Sequence, residues 1–389
     1  MSKINDLIKE LCPNGVKYKT IKEFTKVLRG KRLTTKELCD DASFPVYHGG
    51  LDPLGYYHEF NRIGNTVMVI NVGASAGTVG YSKCDFWSSD GCYCIEHNDI
   101  LLSKYLYHYL KNNENYFMGR VRKAGIPTLD ASVIERFKIA IPPLEVQEEI
   151  VMILDKFGEL EAELEAELEA RKNQYEFWLD SLLKEKTSKE YKLKEVVDLY
   201  LGLTYTPSYV EEGVKFLSSL NISKGYLDLK SIKYISKDEF ENSTSNAKPK
   251  KGDILYVRVG SNLGHPVIYD LEEDVCVFVS VGFARVKNTN ILSNKYLKYW
   301  MDSDLFMDQV KSKTMNSPKA NLNASWMKEF TIFIPSLEKQ NEIVQILDKF
   351  DKLINDISIG LPAEIELRKK QYEYYRNKLL SFEELSVSE

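Results

Sequence analysis

Four side chains in this sequence could gather around a metal: Cys84, Cys92, Cys94 and His97. Thiolates and imidazoles are the ligands zinc prefers, but these fit no CxxC-type spacing, and residues 92 and 94 share one face of a strand. The six cysteines (Cys12, Cys39, Cys84, Cys92, Cys94, Cys276) are too few and too irregular in 389 residues for a disulfide scaffold, so they read as reduced thiols. None of the five histidines is paired at metal-ligand spacing. No bound metal is expected.

Motifs of turnover are missing. The sequence has no GxxxxGK[ST] phosphate loop, no GxSxG, no HExxH and no GxGxxG. Its prolines at IPPLE lack the preceding Asn or Asp of the Asn/Asp-Pro-Pro-aromatic motif used by adenine methyltransferases. The chain is therefore expected to bind without catalysing.

Residues suited to binding are present. Gly73-Ala-Ser-Ala-Gly77 and Gly260-Ser-Asn-Leu-Gly264 both follow β-rich runs. Small-residue loops of this kind let backbone N–H groups approach a phosphate or base edge, and a tight hairpin accounts for the same glycines. Ser75, Ser261, Asn262 and the neighbouring Arg258 are the candidate contacts there. Basic residues cluster at Arg29, Lys31 and Arg32, at Arg120, Arg122 and Lys123, at Lys248, Lys250 and Lys251, and at Lys311, Lys313 and Lys319. They stand among Gly, Ser, Asn and Pro, where a rigid scaffold displays recognition side chains, although solubility alone explains any single one.

A net charge of −5 argues against a nucleic-acid partner until its distribution is considered. Six glutamates fall within Glu159–Ala170 without one basic residue, and the rest of the chain sums to +1. Apolar runs such as Thr66–Val72 and Val275–Val281 are far shorter than the roughly 18–20 residues of a membrane helix. The opening MSKINDLIKE has no signal-peptide core, so a cytoplasmic location is expected.

What must position the binding residues is a duplication. FKIAIPPLEVQEEIVMILDKF at 137–157 returns as FTIFIPSLEKQNEIVQILDKF at 330–350, and RKNQYEFW from Arg171 returns as RKKQYEYY from Arg368. The offset grows from 193 to 197, so the second copy carries four extra residues. Weaker matches, among them Gly30 with Gly202 and Gly77 with Gly264, keep the same order. The layout is a variable domain, a shared element, then both again, with boundaries expected at 1–142, 143–186, 187–335 and 336–389. Short β-rich runs mixed with helical stretches (SKYLYHYLKN, NKYLKYWMDSD) make each variable region an α+β domain.

In the shared element a strand-like run ends at proline and helical spacing begins. A helix from Leu144 to Lys184 would be about 60 Å long, more than one compact domain needs, so pairing as a coiled coil is expected. Ile150, Leu154, Phe157, Leu164, Tyr175 and Trp178 supply its apolar face in the first copy, and Ile343, Leu347, Phe350, Tyr372 and Tyr375 in the second. Gly360 and Pro362 predict a break in the second copy. ELEA occurs three times from Glu159, which is either a solvated acidic face or a ruler built in four-residue steps.

Two divergent domains, each followed by such an element, resemble over the whole chain the specificity subunits of type I restriction-modification systems. The resemblance implies two target-recognition domains, each reading half of a bipartite DNA site, and an antiparallel coiled coil with pseudo-twofold symmetry that spaces them. It implies docking of two modification subunits that carry S-adenosylmethionine and methylate adenine; restriction subunits using ATP and magnesium can join them. No cofactor is expected on this chain. It also favours the ruler reading of the ELEA tract. A coiled-coil scaffold whose variable domains bind protein ligands is the alternative.

Overall fold

The fold is described for residues 2–184, 188–260, 262–314, 321–356 and 358–385 of a computed structural model. It consists of two units, Met1–Glu165 with Glu364–Glu389, and Ala166–Ala363. Each unit therefore holds one α+β domain together with part of both shared helical elements.

In the first unit the strands Val27–Leu28, Cys92–Ile95, Thr66–Ile70 and Val79–Ser82 lie in that order in an antiparallel sheet. Thr66–Ile70 (TVMVI) is buried along its whole length, so β-branched residues suit both of its faces. A smaller sheet orders Gly55–Tyr57, Phe44–Tyr47 and Trp87–Ser88, the last pair parallel. A ribbon pairs Lys17–Thr20 with Lys138–Ile141. The second unit repeats the plan. Its main sheet orders Val197–Leu201, Val281–Val286, Ile254–Val257 and Pro266–Ile268. Its smaller sheet again contains one parallel pair, Val214–Leu217 with Val275–Val277, and its ribbon joins Lys189–Lys192 to Thr331–Ile334.

The expected helices are present at Ser103–Asn112 and Asn294–Asp302, and Leu144–Leu183 is one helix of 40 residues. The second element breaks where glycine and proline predict, into Leu337–Asn355 and Leu361–Leu379. A methyl group on Gly360 would lie 2.6 Å from the Lys352 carbonyl oxygen, so the turn out of the helix admits no side chain there.

Two polar joints, one buried and one half-buried, recur in both units and fix the domain on its helix. Gln147, fully buried, accepts from Leu102 N–H (2.9 Å) and donates to the carbonyls of Ile100 (3.0 Å) and Pro142 (2.8 Å). Gln340, equally buried, accepts from Ser293 N–H (2.8 Å) and donates to the carbonyls of Ile291 (2.8 Å) and Pro335 (2.9 Å). One amide thus satisfies the start of the neighbouring helix and the strand exit together. The second joint is acidic. Asp155 binds Lys104 (3.0 Å) and His108 (2.8 Å), and Asp348 binds Lys295 (2.5 Å) and Tyr299 (2.6 Å). Burial alone would raise both carboxyls, but these hydrogen bonds outweigh it and hold them below their usual range.

The residues expected in one coiled-coil seam divide between two tasks. Ile150 and Leu154 are fully buried in a cluster with Tyr105, Leu106 and Tyr109 of their own domain, as Ile343 and Leu347 are with Tyr296, Leu297 and Trp300. Aromatic residues make the helix–helix contact. Phe157 lies 6.1 Å from Tyr372 and 5.4 Å from Tyr375 in the first unit, and Phe350 lies 6.3 Å from Tyr175 in the second. Lys369 reaches Glu165 (2.9 Å) and Glu161 (3.5 Å). Numbering falls on one helix as it rises on the other, so this pair is antiparallel. Leu164 is half-buried, and Trp178 is 39% exposed beside Phe177.

The C-terminal segment completes the first unit. Leu379 and Leu380 enter its core, Tyr18 Oη donates to the Phe382 carbonyl (2.9 Å), and Val16 N–H to that of Glu383 (2.8 Å).

Candidate nucleic-acid interface

Several loops of the first unit meet at the ends of the main-sheet strands. Lys31 N–H donates to Ser88 O (2.9 Å), Gly49 and Asn71 N–H both point to Gly91 O, and Gly73 N–H donates to Pro127 O (2.9 Å). Residues 122–128 form a short hairpin closed by paired Arg122 and Thr128 backbone bonds (2.9 and 3.1 Å). Two basic clusters that lie about 90 residues apart in the sequence thereby act on one carboxyl. Asp130 lies in the fields of both Arg29 and Arg122; hydrogen bonds from Ser132 hold its carboxyl below the usual range and the two guanidinium groups add to this. The Arg29 guanidinium stands 6.0 Å from the Tyr93 ring, Lys31 Nζ 5.7 Å from the Trp87 ring, and the Arg120 guanidinium 3.5 Å from the Tyr116 ring. Arg29, Lys31, Arg32, Arg120, Arg122 and Lys123 are exposed and make no carboxylate ion pair among the described residues. Such a surface presents cations free to meet phosphates.

Ser75 is half-buried, and its carbonyl accepts from the Thr78 N–H and hydroxyl, so the 73–77 loop is a hairpin turn between paired strands. Gly73 and Gly77 hold φ of 90° and 92°, as glycine allows. In the second unit Asn262 is exposed and donates to Ser223 O (2.9 Å). Lys311 and Lys313 are exposed at the end of the helix Asp304–Thr314, Lys311 being 3.5 Å from Asp308. Ser261 and Lys319 lie outside the described residues. The 248–251 cluster is partly neutralised, with Lys251 paired to Glu272 and Lys248 held over Phe240 at 4.6 Å.

Arg258 requires correction as a contact. It is 6% exposed, and its guanidinium is spent on the carbonyls of Leu322 (3.2 Å) and Val279 (2.8 Å) and on Asn321 Oδ1 (3.4 Å). Burial without a carboxylate lowers its pKa. Its counterpart is Asn71. Asn71 Nδ2 donates to Asp90 O (3.2 Å), its N–H faces Gly91 O where that of Arg258 faces Ser280 O, and Leu129 and Leu322 close the same bond onto Asn71 O and Arg258 O. Both are braces beneath the loops. Of the reactive set, Cys92 and Cys94 are buried and Cys84 is exposed, and no three metal-capable groups converge among the described residues.

The aligned glycines brace the same edge. A methyl group on Gly30 would lie 1.8 Å from Ser89 O, and one on Gly202 2.2 Å from Phe278 O, both backbone atoms. Gly30→Ala and Gly202→Ala should each disrupt one unit, by several kcal/mol as for overpacking against backbone. Limited proteolysis should find the altered unit cleaved first and the other protected.

A family model for the type I restriction modification DNA specificity domain matches residues 13–170 and again 185–367. The chain belongs to that family. It is a DNA specificity subunit, the non-catalytic component of a type I restriction-modification system. The specificity subunit of a type I restriction enzyme of Escherichia coli is 34% identical over 305 residues, covering 74% of this chain and 72% of that one. A Haemophilus influenzae protein carrying that subunit name provisionally is 30% identical over 97% of this chain and 98% of its own. A solved specificity subunit from M. genitalium shares the fold, with TM-score 0.60 and 17% identity across 94% of this chain and 96% of that one. No helix among the described residues of this specificity subunit is long and apolar enough to cross a membrane.

Proposed function

We propose that the two units are two reading heads, each taking one half of a bipartite duplex site, with the shared helices setting the spacer between the halves. The observation that carries this reading is the matching internal wiring of the two units beneath loops that differ. Gln147 and Gln340, Asp155 and Asp348, and Gly30 and Gly202 do the same work in each. A framework kept twice under divergent loops suits one task performed on two sequences.

The helices would also dock two modification subunits, which bring S-adenosylmethionine and flip out the target adenine, and restriction subunits would add ATP and magnesium. Phe177 (64% exposed) and Tyr374 (62%) support twofold docking: they are equivalent in the repeat, and each packs edge-on against its neighbour, Trp178 or Tyr375. Exposed aromatic side chains of this kind are the usual anchors of protein interfaces.

Binding of duplex DNA by the complex with its modification subunits should weaken steeply with salt, each phosphate contact adding about 0.9 to the log–log slope. Replacing Arg29, Lys31 and Arg122 together by alanine should reduce that slope by about 2.7. An unchanged slope would remove these residues from the interface. Genome-wide methyladenine mapping with and without the chain gives the two half-sites and spacer directly.

A further inference from the structure

Ile126 is 71% exposed at the tip of the hairpin 122–128, and nothing in its own unit covers it. Isolated exposed apolar residues are ordinary on protein surfaces. This one differs in how firmly it is held and in what surrounds it. Below it, Arg122 and Thr128 exchange both backbone hydrogen bonds, the Thr128 hydroxyl donates to the Ile126 carbonyl (2.9 Å), and the Pro127 carbonyl is anchored by Gly73 N–H. Before it, Gly125 turns the chain at φ 78°, and a methyl group added there would meet nothing within 4 Å beyond its chain neighbours. Arg120, Arg122 and Lys123 precede it on the same loop, exposed and in no salt bridge among the described residues, with Asp130 in the field of Arg122.

An apolar tip beside a run of cations complements a DNA groove, where phosphates border the base edges at the floor. The cations can fix register on the backbone but cannot distinguish bases. Isoleucine offers no donor or acceptor, so what it can prefer at a major-groove edge is the thymine methyl group. The geometry points to the hairpin 122–128 as a reading finger of the first domain, with Ile126 a specificity-determining residue that selects a thymine and Arg122 and Lys123 its phosphate contacts. This rests on the reading of the unit as a DNA-reading head.

The test is methyladenine mapping, and binding to a randomised duplex library, with the complex of full-length chain and modification subunits. Ile126→Ser should relax selection at one base pair of one half-site by roughly four- to tenfold, the lower figure being the worth of one buried methyl group. The other half-site and the spacer should stay as they were. Ile126→Val should retain the preference, and Lys123→Ala should weaken binding to all sequences alike. An Ile126→Ser complex that keeps both half-site preferences, with an unchanged melting temperature, overturns the inference. If the unaltered complex has no salt-dependent affinity for duplex DNA, the DNA-reading assignment fails instead, and the two failures are distinguishable.

Discussion

Deleting one ELEA unit should shorten the unread spacer of the recognised site and leave both half-sites intact. Four residues of helix correspond to about 6 Å of rise and about 400° of rotation, a net turn of about 40°. One base pair turns the duplex by about 34–36°, so a unit nearly preserves facing toward DNA, while its rise is closer to two base pairs. The tract lies inside the uninterrupted helix Leu144–Leu183, with Leu160, Leu164 and Leu168 all half-buried at the same interval. Removing Glu163–Ala166 brings the next leucine and the next glutamate into the vacated places, and Lys369 again meets two glutamates four residues apart, as it now meets Glu161 and Glu165. A deletion of two or three residues has no such compensation and should abolish cognate methylation. Methyladenine mapping of the shortened complex decides the matter. A change of one base pair means that twist governs and a change of two that rise does, whereas altered half-sites with a constant spacer refute the ruler.

Gln147→Leu and Gln340→Leu should be the most destabilising single changes at the joints between domain and helix. Each removes three hydrogen bonds and leaves a backbone N–H and two carbonyls, one of them fully buried, without a partner beside an apolar side chain. With about 1–3 kcal/mol for each stranded group and some relaxation, a loss of about 3–5 kcal/mol is expected. For units of this size that corresponds to a fall of roughly 6–20 °C in melting temperature. The loss should also be one-sided in function, with Gln147→Leu impairing recognition of one half-site and Gln340→Leu the other. Calorimetry with half-site mapping tests both statements, and variants that melt with the wild type would show that the joints carry no load.

Both glutamines were visible in the sequence as identical letters in EVQEEI and EKQNEI, but their partners were not, because Ile100 and Leu102 lie some 45 residues away. Periodicity located the long helix to within one residue of its end and the break at Gly360, since backbone hydrogen bonding and proline geometry are local. It could not say which neighbour an apolar face would meet. Ile150 and Leu154 have the same spacing as Phe157, yet they serve the domain while Phe157 serves the opposing helix. At the interface, residue type misled at Arg258, where the charge braces a loop, as the uncharged Asn71 does in the first unit. Ile126 gave no signal, because one isoleucine in a polar loop belongs to no pattern until the hairpin around it has closed.

The C-terminal contribution to the first unit affects the order in which the protein can be made. The first unit needs Tyr372, Leu379, Leu380 and the backbone of Glu383 to complete its core and cover its ribbon. At 5–20 residues per second, a ribosome that has finished the strand Lys138–Ile141 needs roughly 10–50 s more to reach them. Throughout that interval the nascent first unit has an open flank, and the second unit has all of its residues once Ala363 is made, before Leu379 and Leu380 are reached. The domain translated first is therefore the last to become whole, and a late frameshift would leave its core open while sparing the second unit.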